Sequence, residues 1–468
     1  MIVNHKPLSK VTENLFGISG VGFGLMSSFG MYMGTYFMTD VARLPVSLIA
    51  IIGMVYSISD LVMSPFYGVI ISKLPEMPWG RIRSWLLVMP PIVALCCFFE
   101  FSCFTDNVWI RGAIIGIGGT LAHILWTMVF TADIAMMGPC SNNGEERAKL
   151  SARKAQFSTI SQLLYSVAVS AVLAVCINIA GGEEGGYQLN YVFYAFLFCL
   201  SYWAQFAITK GYEPTKAERA AAGIGGEGIQ LQKKQTVSIK AMVIGFIKNP
   251  PLLLLILNAV AAQIINFVMN SMIVYYYNVV AQAPSLYSVH LTMFNVLALV
   301  GAWFAPKIVK KTGNKGMFQI AWIGCIVGLI GARIFAFQTY PFMVCMAIFG
   351  LFQGARNAVN TAAYGDAAVY AEALTGEDTK TFVYSMTSIP TKIAAFFRTI
   401  VVAAVLAASG YEAGVEPTLA MQNGIVSSLV TIPLICAAIG LVIMIFYPLT
   451  PKKLAECQAK IDSRKISQ

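Results

Sequence analysis

Asp60 is a carboxylate inside an apolar run long enough to cross a bilayer. Ionisable groups in such runs are costly and mark ion or substrate paths by default. Ser57 lies one helical turn before Asp60 and Ser64 one turn after it, so both share or flank its face. Hydroxyls beside a carboxylate ligate a cation or orient an acid that exchanges protons. The pattern predicts a cation-coupling site, with a structural ion pair to a basic residue of another helix as the alternative.

A second intramembrane acid, Asp133, follows His123 in a later apolar run. Asp133 is a candidate substrate ligand, or else a solvated acid at the inner end of its helix. His123 is a possible proton relay. A hydrogen-bonded packing residue is the alternative for this histidine.

The second half of the chain carries Arg356 within an apolar run, and Asn360 extends its polar stripe. A guanidinium fork binds carboxylates and sulfonates bidentately. Pairing with Asp60 or another acid is the alternative. Asn266 and Asn270 share a helix face that leads to Tyr276, a combination suited to sugar-like solutes. Interfacial belt residues are the alternative for the tyrosines.

Lys392 follows Pro390, which kinks a helix and frees backbone carbonyls there. Arg398 points to another side of the same helix, so we expect Lys392 to face the site. Asp366 and Glu372 lie nearer the cytoplasm, where gating salt bridges are the expected role.

Composition identifies the class of protein. The chain is 57% hydrophobic and 12% charged, with a mean hydropathy of +0.69, whereas soluble proteins carry about 25% charged residues. A span needs roughly 20 residues, so 468 residues hold about twelve helices. The expected fold is all-α and polytopic, with a six-helix bundle at 1–210, a cytoplasmic linker at 211–245, a second six-helix bundle at 246–450 and a tail at 451–468.

The predicted spans follow the apolar runs. They cover 13–38, 46–72, 84–104, 109–137, 154–180, 190–209, 252–279, 286–308, 317–335, 340–370, 381–408 and 425–449.

Lysine and arginine positions predict the orientation. With the N-terminus inside, about 26 of the 32 fall on inner segments, and Arg43 and Arg111 are those on outer loops. Both termini are therefore predicted to be cytoplasmic. The net charge of +10 reflects this bias and indicates contact with anionic lipid, not nucleic acid. The ten cysteines form no CxxC or Cys/His cluster, so no disulfide or metal site is predicted.

Two bundles joined by a long inner linker are typical of secondary carriers, which bind substrate near the middle of the membrane. A channel more often shows a pore-loop motif, and a membrane enzyme a His or metal cluster. The sequence shows neither, so we expect a transporter and not an enzyme.

Several motifs resemble one family, the glycoside–pentoside–hexuronide:cation symporters of the major facilitator superfamily, whose type member is melibiose permease. The resemblance covers nearly the whole chain. It consists of Tyr36-Phe37-Met38-Thr39-Asp40-Val41, Asp60…Pro65…Gly68, Trp79-Gly80-Arg81-Ile82-Arg83-Ser84-Trp85, Glu146-Arg147…Leu150-Ser151-Ala152, Asn270…Tyr275-Tyr276, Asp366…Tyr370…Glu372 and Tyr384-Ser385…Lys392.

The resemblance implies roles for three residues. Asp60 matches the first acid of the family's D-x-x-x-D cation motif, and Lys392 matches a lysine close to that cation site. Lys154 falls where the family has an arginine beginning helix five. The chain departs from the family in having Ser64 as the second motif residue and Gly24 in place of a sugar-binding aspartate. Asp133 is out of register with the family's second sugar-binding acid.

We expect a monomeric carrier in the bacterial cytoplasmic membrane that works by alternating access, with no organic cofactor. The expected coupling ion is H⁺, because one carboxylate makes a weak sodium site, and the solute is sugar-like and anionic. A sodium-coupled symporter of a neutral glycoside and a non-transporting sensor are the alternatives. The predicted site residues are Asp60, Ser64, Ser57 and Lys392 for the cation; Arg356, Asn360, Asn266, Asn270, Tyr32, Asp133, Lys154 and Tyr276 for the substrate; and Arg81, Arg83, Asp366 and Glu372 for gating.

Overall fold

A computed structural model of the chain describes residues 7–63, 66–67, 70–71, 77–141, 144–221, 246, 248–376, 383, 386–411 and 414–466. Within these ranges the regular secondary structure is helical, and no strand is present. The chain divides into two compact units, Met1–Ile229 and Gln230–Gln468. Each unit is described by itself.

The first unit is built from long apolar helices with short connections. In chain order the helices are α1 Lys10–Leu15, α2 Ser19–Tyr36, α3 Val46–Met63, α4 Trp85–Glu100, α5 Val108–Ala135, α6 Met137–Cys140, α7 Gly144–Ala180, α8 Glu183–Ile208 and α9 Lys216–Ala221. A wide π turn, Phe37–Val41, prolongs α2. The predicted second span reaches residue 72, and its described part is α3 with residues 66–67 and 70–71.

The second unit repeats this construction. Its helices are α10 Pro250–Tyr275, α11 Leu286–Ile334, α12 Thr339–Thr375, α13 Ile389–Ala408, α14 Leu419–Val426, α15 Ile432–Ile445 and α16 Pro451–Ile466. Wide π turns, Tyr276–Val280 and Ser427–Thr431, follow α10 and α14. A short 3₁₀ turn, Met386–Ser388, precedes α13.

The described residues include ten helices that are long and apolar enough to cross a membrane. One of them, α11, contains two predicted spans divided at Gly313, whose φ of 71° is a left-handed conformation that glycine adopts without strain. The shorter apolar helix α4 is a further span. These ten helices account for eleven predicted spans, because α11 contains two of them. The helix α4 accounts for the twelfth.

Three segments that join or follow the predicted spans are part of the two units. The predicted sixth span begins at residue 190, but α8 begins at Glu183, and Glu183 and Glu184 in its first turn complement the helix dipole. Glu213 belongs to the predicted linker, and it is buried in the first unit, where it accepts hydrogen bonds from the backbone N–H groups of Ile82 and Arg83. The tail beyond residue 450 forms α16, and Arg464 of this helix donates to the Ala373 carbonyl at 3.1 Å.

Glycines let two helices of the second unit cross closely. A Cβ on Gly301 of α11 would overlap the Leu351 carbonyl of α12, and a Cβ on Gly354 of α12 would overlap the Ala298 carbonyl of α11. Small residues permit such backbone approach in membrane helices, where dispersion contacts drive association.

We expect Gly354→Ala to destabilise the protein by about 1–3 kcal/mol, the usual range for an overpacked interface. The added methyl group meets backbone, which cannot rotate away. Thermal unfolding in detergent measures the effect. Gly34→Ala is the control, because its added Cβ would meet only a Phe101 ring atom at 4.0 Å. Equal stability of the two variants would contradict the close crossing.

Candidate functional site

Asp60 lies half-buried on α3 and accepts a hydrogen bond from the Tyr67 hydroxyl at 3.1 Å. Tyr67 is itself buried. The Ser57 hydroxyl, predicted to flank this carboxylate, donates to the Gly53 carbonyl of its own helix at 2.9 Å, which leaves its lone pairs as the groups that could meet a cation. Ser64 lies outside the described residues. The described geometry therefore makes Asp60 and Tyr67 the coupling-site candidates of the first unit.

A strip of half-buried aromatic side chains runs from α3 across α5 to α2. Tyr56 meets His123 with ring centroids 5.1 Å apart, and His123 meets Trp126 at 4.7 Å. Trp126 contacts Phe23 at 5.5 Å, and Phe23 stacks on Phe130 at 4.8 Å. Ligand pockets are lined mainly by such side chains with a few polar groups between them.

Sequence reasoning missed Phe23 and Trp126 as site candidates. An available signal was their position in the middle of apolar runs, away from the ends where belt aromatics occur. Tyr32, a predicted substrate residue, is half-buried on α2 and stacks on Tyr165 with centroids 5.5 Å apart.

Asp133 and Lys154 bind each other in the structure. Lys154 Nζ lies 2.5 Å from Asp133 Oδ2, and the Ser19 hydroxyl donates to the same oxygen at 2.8 Å. Asp133 is fully buried, so it is not a solvated acid at a helix end. Lys154 also lies 4.7 Å from the centre of the Phe130 ring. These contacts give the two residues a role in joining α2, α5 and α7, and their contact with substrate stays a prediction.

Arg356 is the buried cation of α12, with 2% of its surface exposed. Its guanidinium lies over the indole of Trp322, 4.5 Å from the ring centre, and Nη2 donates to Asn357 Oδ1 at 3.2 Å. Nε and Nη1 have no hydrogen-bond partner in the described part of the chain. Unsatisfied donors on a buried cation are costly, so an anion that accepted hydrogen bonds from them would be stabilised.

A chain of side-chain amides connects three helices of the second unit. Gln353 of α12 donates to Asn266 Oδ1 of α10. Asn266 donates to Gln263 Oε1 at 2.9 Å, and Gln263 donates to the Thr391 hydroxyl of α13 at 3.3 Å. Asn266 was a predicted site residue, whereas Gln353 and Gln263 were missed. Their spacing was a signal, since each lies one turn before a predicted residue, Arg356 or Asn266.

The other predicted substrate residues of this unit differ in exposure. Asn360 and Asn270 are half-buried on α12 and α10. Tyr276 is fully buried, stacks on Phe342 with centroids 4.1 Å apart, and donates to the Ala336 carbonyl at 3.0 Å. Tyr276 is therefore a core residue and not a belt residue, and its contact with solute stays a prediction.

The predicted charged residues of α12 and α13 lie in different surroundings. Lys392 is half-buried on α13, and Arg398 lies 5.8 Å from the Phe267 ring centre. Asn314, beside the Gly313 kink, donates to Asp366 Oδ2 at 2.6 Å, and Glu372 is buried. Asp366 thus holds the kink of α11 against α12 through an amide instead of a salt bridge.

The basic loop before α4 is fastened to the end of α8. Arg83 is buried, its guanidinium lies 3.7 Å from the Phe206 ring centre, and its Nε donates to the Phe206 carbonyl at 3.0 Å. Burial lowers the pKa of Arg83, and the Glu213 carboxylate opposes that shift. Arg81 is half-buried in the same loop. Gating by this pair stays a prediction.

Within the described residues, no group of three or more His, Cys, Asp or Glu side chains is placed to hold a metal ion.

Comparison with known proteins defines the class. A family model described as "MFS/sugar transport protein" matches residues 15–451, and the chain belongs to this family. The predicted family resemblance is thereby confirmed, as is the prediction of a multi-pass membrane transporter and not an enzyme.

Individual relatives span almost the whole chain. The glucuronide carrier protein homolog of Escherichia coli (strain K12) is 25% identical, with 96% of each chain covered. The isoprimeverose transporter of Lactiplantibacillus pentosus is 21% identical, covering 94% of this chain and 88% of its own. A crystal structure of a D-xylose-proton symporter superposes with a TM-score of 0.64 at 12% identity, covering 94% of this chain and 98% of that one. This likeness confirms the predicted major facilitator fold.

Breaking the Asp133–Lys154 pair should destabilise the protein strongly. Asp133→Asn or Lys154→Met leaves one buried charge uncompensated, at a cost of about 3–5 kcal/mol. The double variant Asp133→Leu with Lys154→Met removes both charges and should recover most of that loss. Thermal unfolding in detergent measures the series. Asp106→Asn changes an exposed carboxylate 3.9 Å from Arg111 and should change stability by about 1 kcal/mol or less.

Single variants that unfold like the wild type but no longer bind solute would restore Asp133 and Lys154 to the substrate site.

Proposed function

We propose that this protein is a monomeric, proton-coupled symporter of a sugar-like solute that carries a negative charge, such as a uronide or a sulfonated sugar. The family match supports sugar transport. The printed name of the Escherichia coli relative, a glucuronide carrier homolog, supports an anionic sugar.

The unpartnered donors of Arg356 are the observation that supports a negative charge on the solute. This buried guanidinium has two nitrogens, Nε and Nη1, without a partner among the described residues. Each of these N–H groups can donate a charge-assisted hydrogen bond to an oxygen of a carboxylate or sulfonate. Trp322 lies against one face of the guanidinium and fixes its plane, so a solute anion would meet an already oriented group.

The hydroxyl groups of the solute need donors and acceptors that are already aligned. The amide chain of Gln353, Asn266, Gln263 and Thr391 offers both, because each amide carries a carbonyl oxygen and an NH₂ group. Gln353 lies one turn from Arg356 on α12, so recognition of hydroxyl groups and of the anion would come from one helix face.

Proton coupling is assigned to Asp60. Its neutral partner Tyr67 serves both forms of the acid, since a hydroxyl donates to a carboxylate and accepts from a carboxylic acid. A hard cation such as sodium prefers several oxygen ligands, and Asp60 is the one carboxylate of the predicted coupling set. A proton needs a single oxygen, so the single carboxylate favours H⁺ over Na⁺.

One specific observation favours a second candidate, the sodium-coupled transport of a neutral glycoside. A relative covering 94% of the chain is named an isoprimeverose transporter, and the amide chain requires no charge on the solute. In this case Arg356 would serve α12 packing through Trp322.

Arg356→Gln should weaken binding of a β-glucuronide about 10- to 100-fold, because a charge-assisted contact is worth about 1.5–3 kcal/mol. Binding of the matched neutral β-glucoside should change little. Equilibrium binding to purified protein measures both. Arg333→Gln, an exposed arginine of the same unit, is the control. An equal loss for both sugars, or no loss for the glucuronide, would reject Arg356 as the anion site.

Asp60→Asn should abolish accumulation of solute against its gradient while leaving equilibrium exchange across the membrane. The amide keeps the shape and the hydrogen bond to Tyr67 but cannot take up a proton. Uptake and exchange by proteoliposomes measure the two activities. Asp106→Asn, an exposed acid, should accumulate solute like the wild type. Accumulation retained by Asp60→Asn would exclude this carboxylate as the coupling group.

A further inference from the structure

Glu100 is a buried carboxylate that the function proposed above does not use. It is the last residue of α4, and 8% of its surface is exposed. The Tyr191 hydroxyl of α8 donates to its Oε2 at 3.2 Å. Within the described part of the chain, Glu100 has no further hydrogen bond and no ion pair.

The surroundings of Glu100 are neutral. The titratable groups near it are Tyr191 on α8, Tyr56 on α3, and Cys96 and Cys97 on its own helix. None of these groups is cationic, and no charged residue of the described chain is paired with Glu100. This carboxylate therefore differs from Asp133, whose charge is compensated by Lys154 at 2.5 Å.

Gly119 of α5 makes room for this cluster. A Cβ there would overlap the Tyr56 hydroxyl and would come within 3.1 Å of Glu100 Cγ. Tyr56 donates its proton to the Ile115 carbonyl at 3.0 Å, so its oxygen lone pairs are the groups left for other contacts. Glu100 thus lies close to Tyr56 of α3 at Gly119, and it binds Tyr191 of α8.

Burial of an ionised carboxylate beside neutral groups has a large free-energy cost, and the acid avoids this cost by taking up a proton. The hydroxyl of Tyr191 fits either form, because it donates to a carboxylate and accepts from a carboxylic acid. Loss of the proton from Glu100 would place a negative charge near Tyr56, whose ring lies against His123 of the aromatic strip. The protonation state of Glu100 therefore acts on the aromatic strip through Tyr56.

We propose that Glu100 is a second proton-binding site of the first unit, protonated at neutral pH and distinct from Asp60. The ligand is a proton, which adds to a carboxylate oxygen with no other bond made or broken. A role of the Glu100 site in transport rests on the proposed proton coupling. Protonation of Glu100 itself does not depend on that coupling.

Infrared difference spectroscopy, in which the spectrum of each variant is compared with that of the wild type, tests the site. The samples are purified full-length protein in lipid vesicles. At neutral pH we expect a carbonyl band of a protonated carboxylic acid that is lost in Glu100→Gln. Tyr191→Phe should keep the band and shift it, because the hydrogen bond to the acid is removed. Glu184→Gln, an exposed glutamate, should leave the band unchanged. The shift in Tyr191→Phe identifies the group even where Glu100→Gln folds poorly.

A neutral-pH spectrum in which Glu100→Gln and Tyr191→Phe both match the wild type would overturn the inference. This readout contains no solute and no ion gradient. A missing band therefore rejects the Glu100 site and leaves proton-coupled symport standing, whereas failure of gradient-driven uptake leaves the band unaffected.

Discussion

The free energy of placing a charged side chain in hydrocarbon is the constraint on which the structure depends. An unpaired charge at mid-membrane is expensive, so a charge that serves only the fold is expected to be neutralised within it. Asp133 follows this rule, since Lys154 and Ser19 bind the same carboxylate oxygen. Its cost is balanced in the folded protein, and the pair joins helices.

Arg356 and Glu100 follow the rule only in part. Arg356 has an aromatic ring and one amide oxygen for its charge, and Glu100 has one phenol. Each charge lies among neutral groups. Binding of an anion would compensate the charge of Arg356, and binding of a proton would neutralise Glu100. We interpret incomplete compensation as the mark of a ligand-binding group, in line with the proposed binding of a solute anion at Arg356 and of a proton at Glu100.

The sequence predicted the spans well, because hydropathy depends on local composition. It could not predict the partner of Asp133, since Asp133 and Lys154 lie on separate helices and meet only through tertiary packing. Glu100 was missed for a related reason: a polar residue at the end of an apolar run is usually solvated, and burial there depends on Tyr191 and Gly119. Asp60 could be selected as a candidate because an acid within an apolar run is unusual in any context. The burial of Tyr276 could not be predicted, because sequence alone does not separate a core tyrosine from one facing solute.

The central claim is that H⁺ is the coupling ion. Uptake driven by one ion gradient at a time tests this claim most directly. Proteoliposomes containing the full-length protein are given a labelled β-glucuronide with a proton gradient alone, and in parallel with a sodium gradient alone. The account predicts accumulation with the proton gradient and mere equilibration with the sodium gradient. Accumulation that requires sodium, with none under the proton gradient, would contradict it.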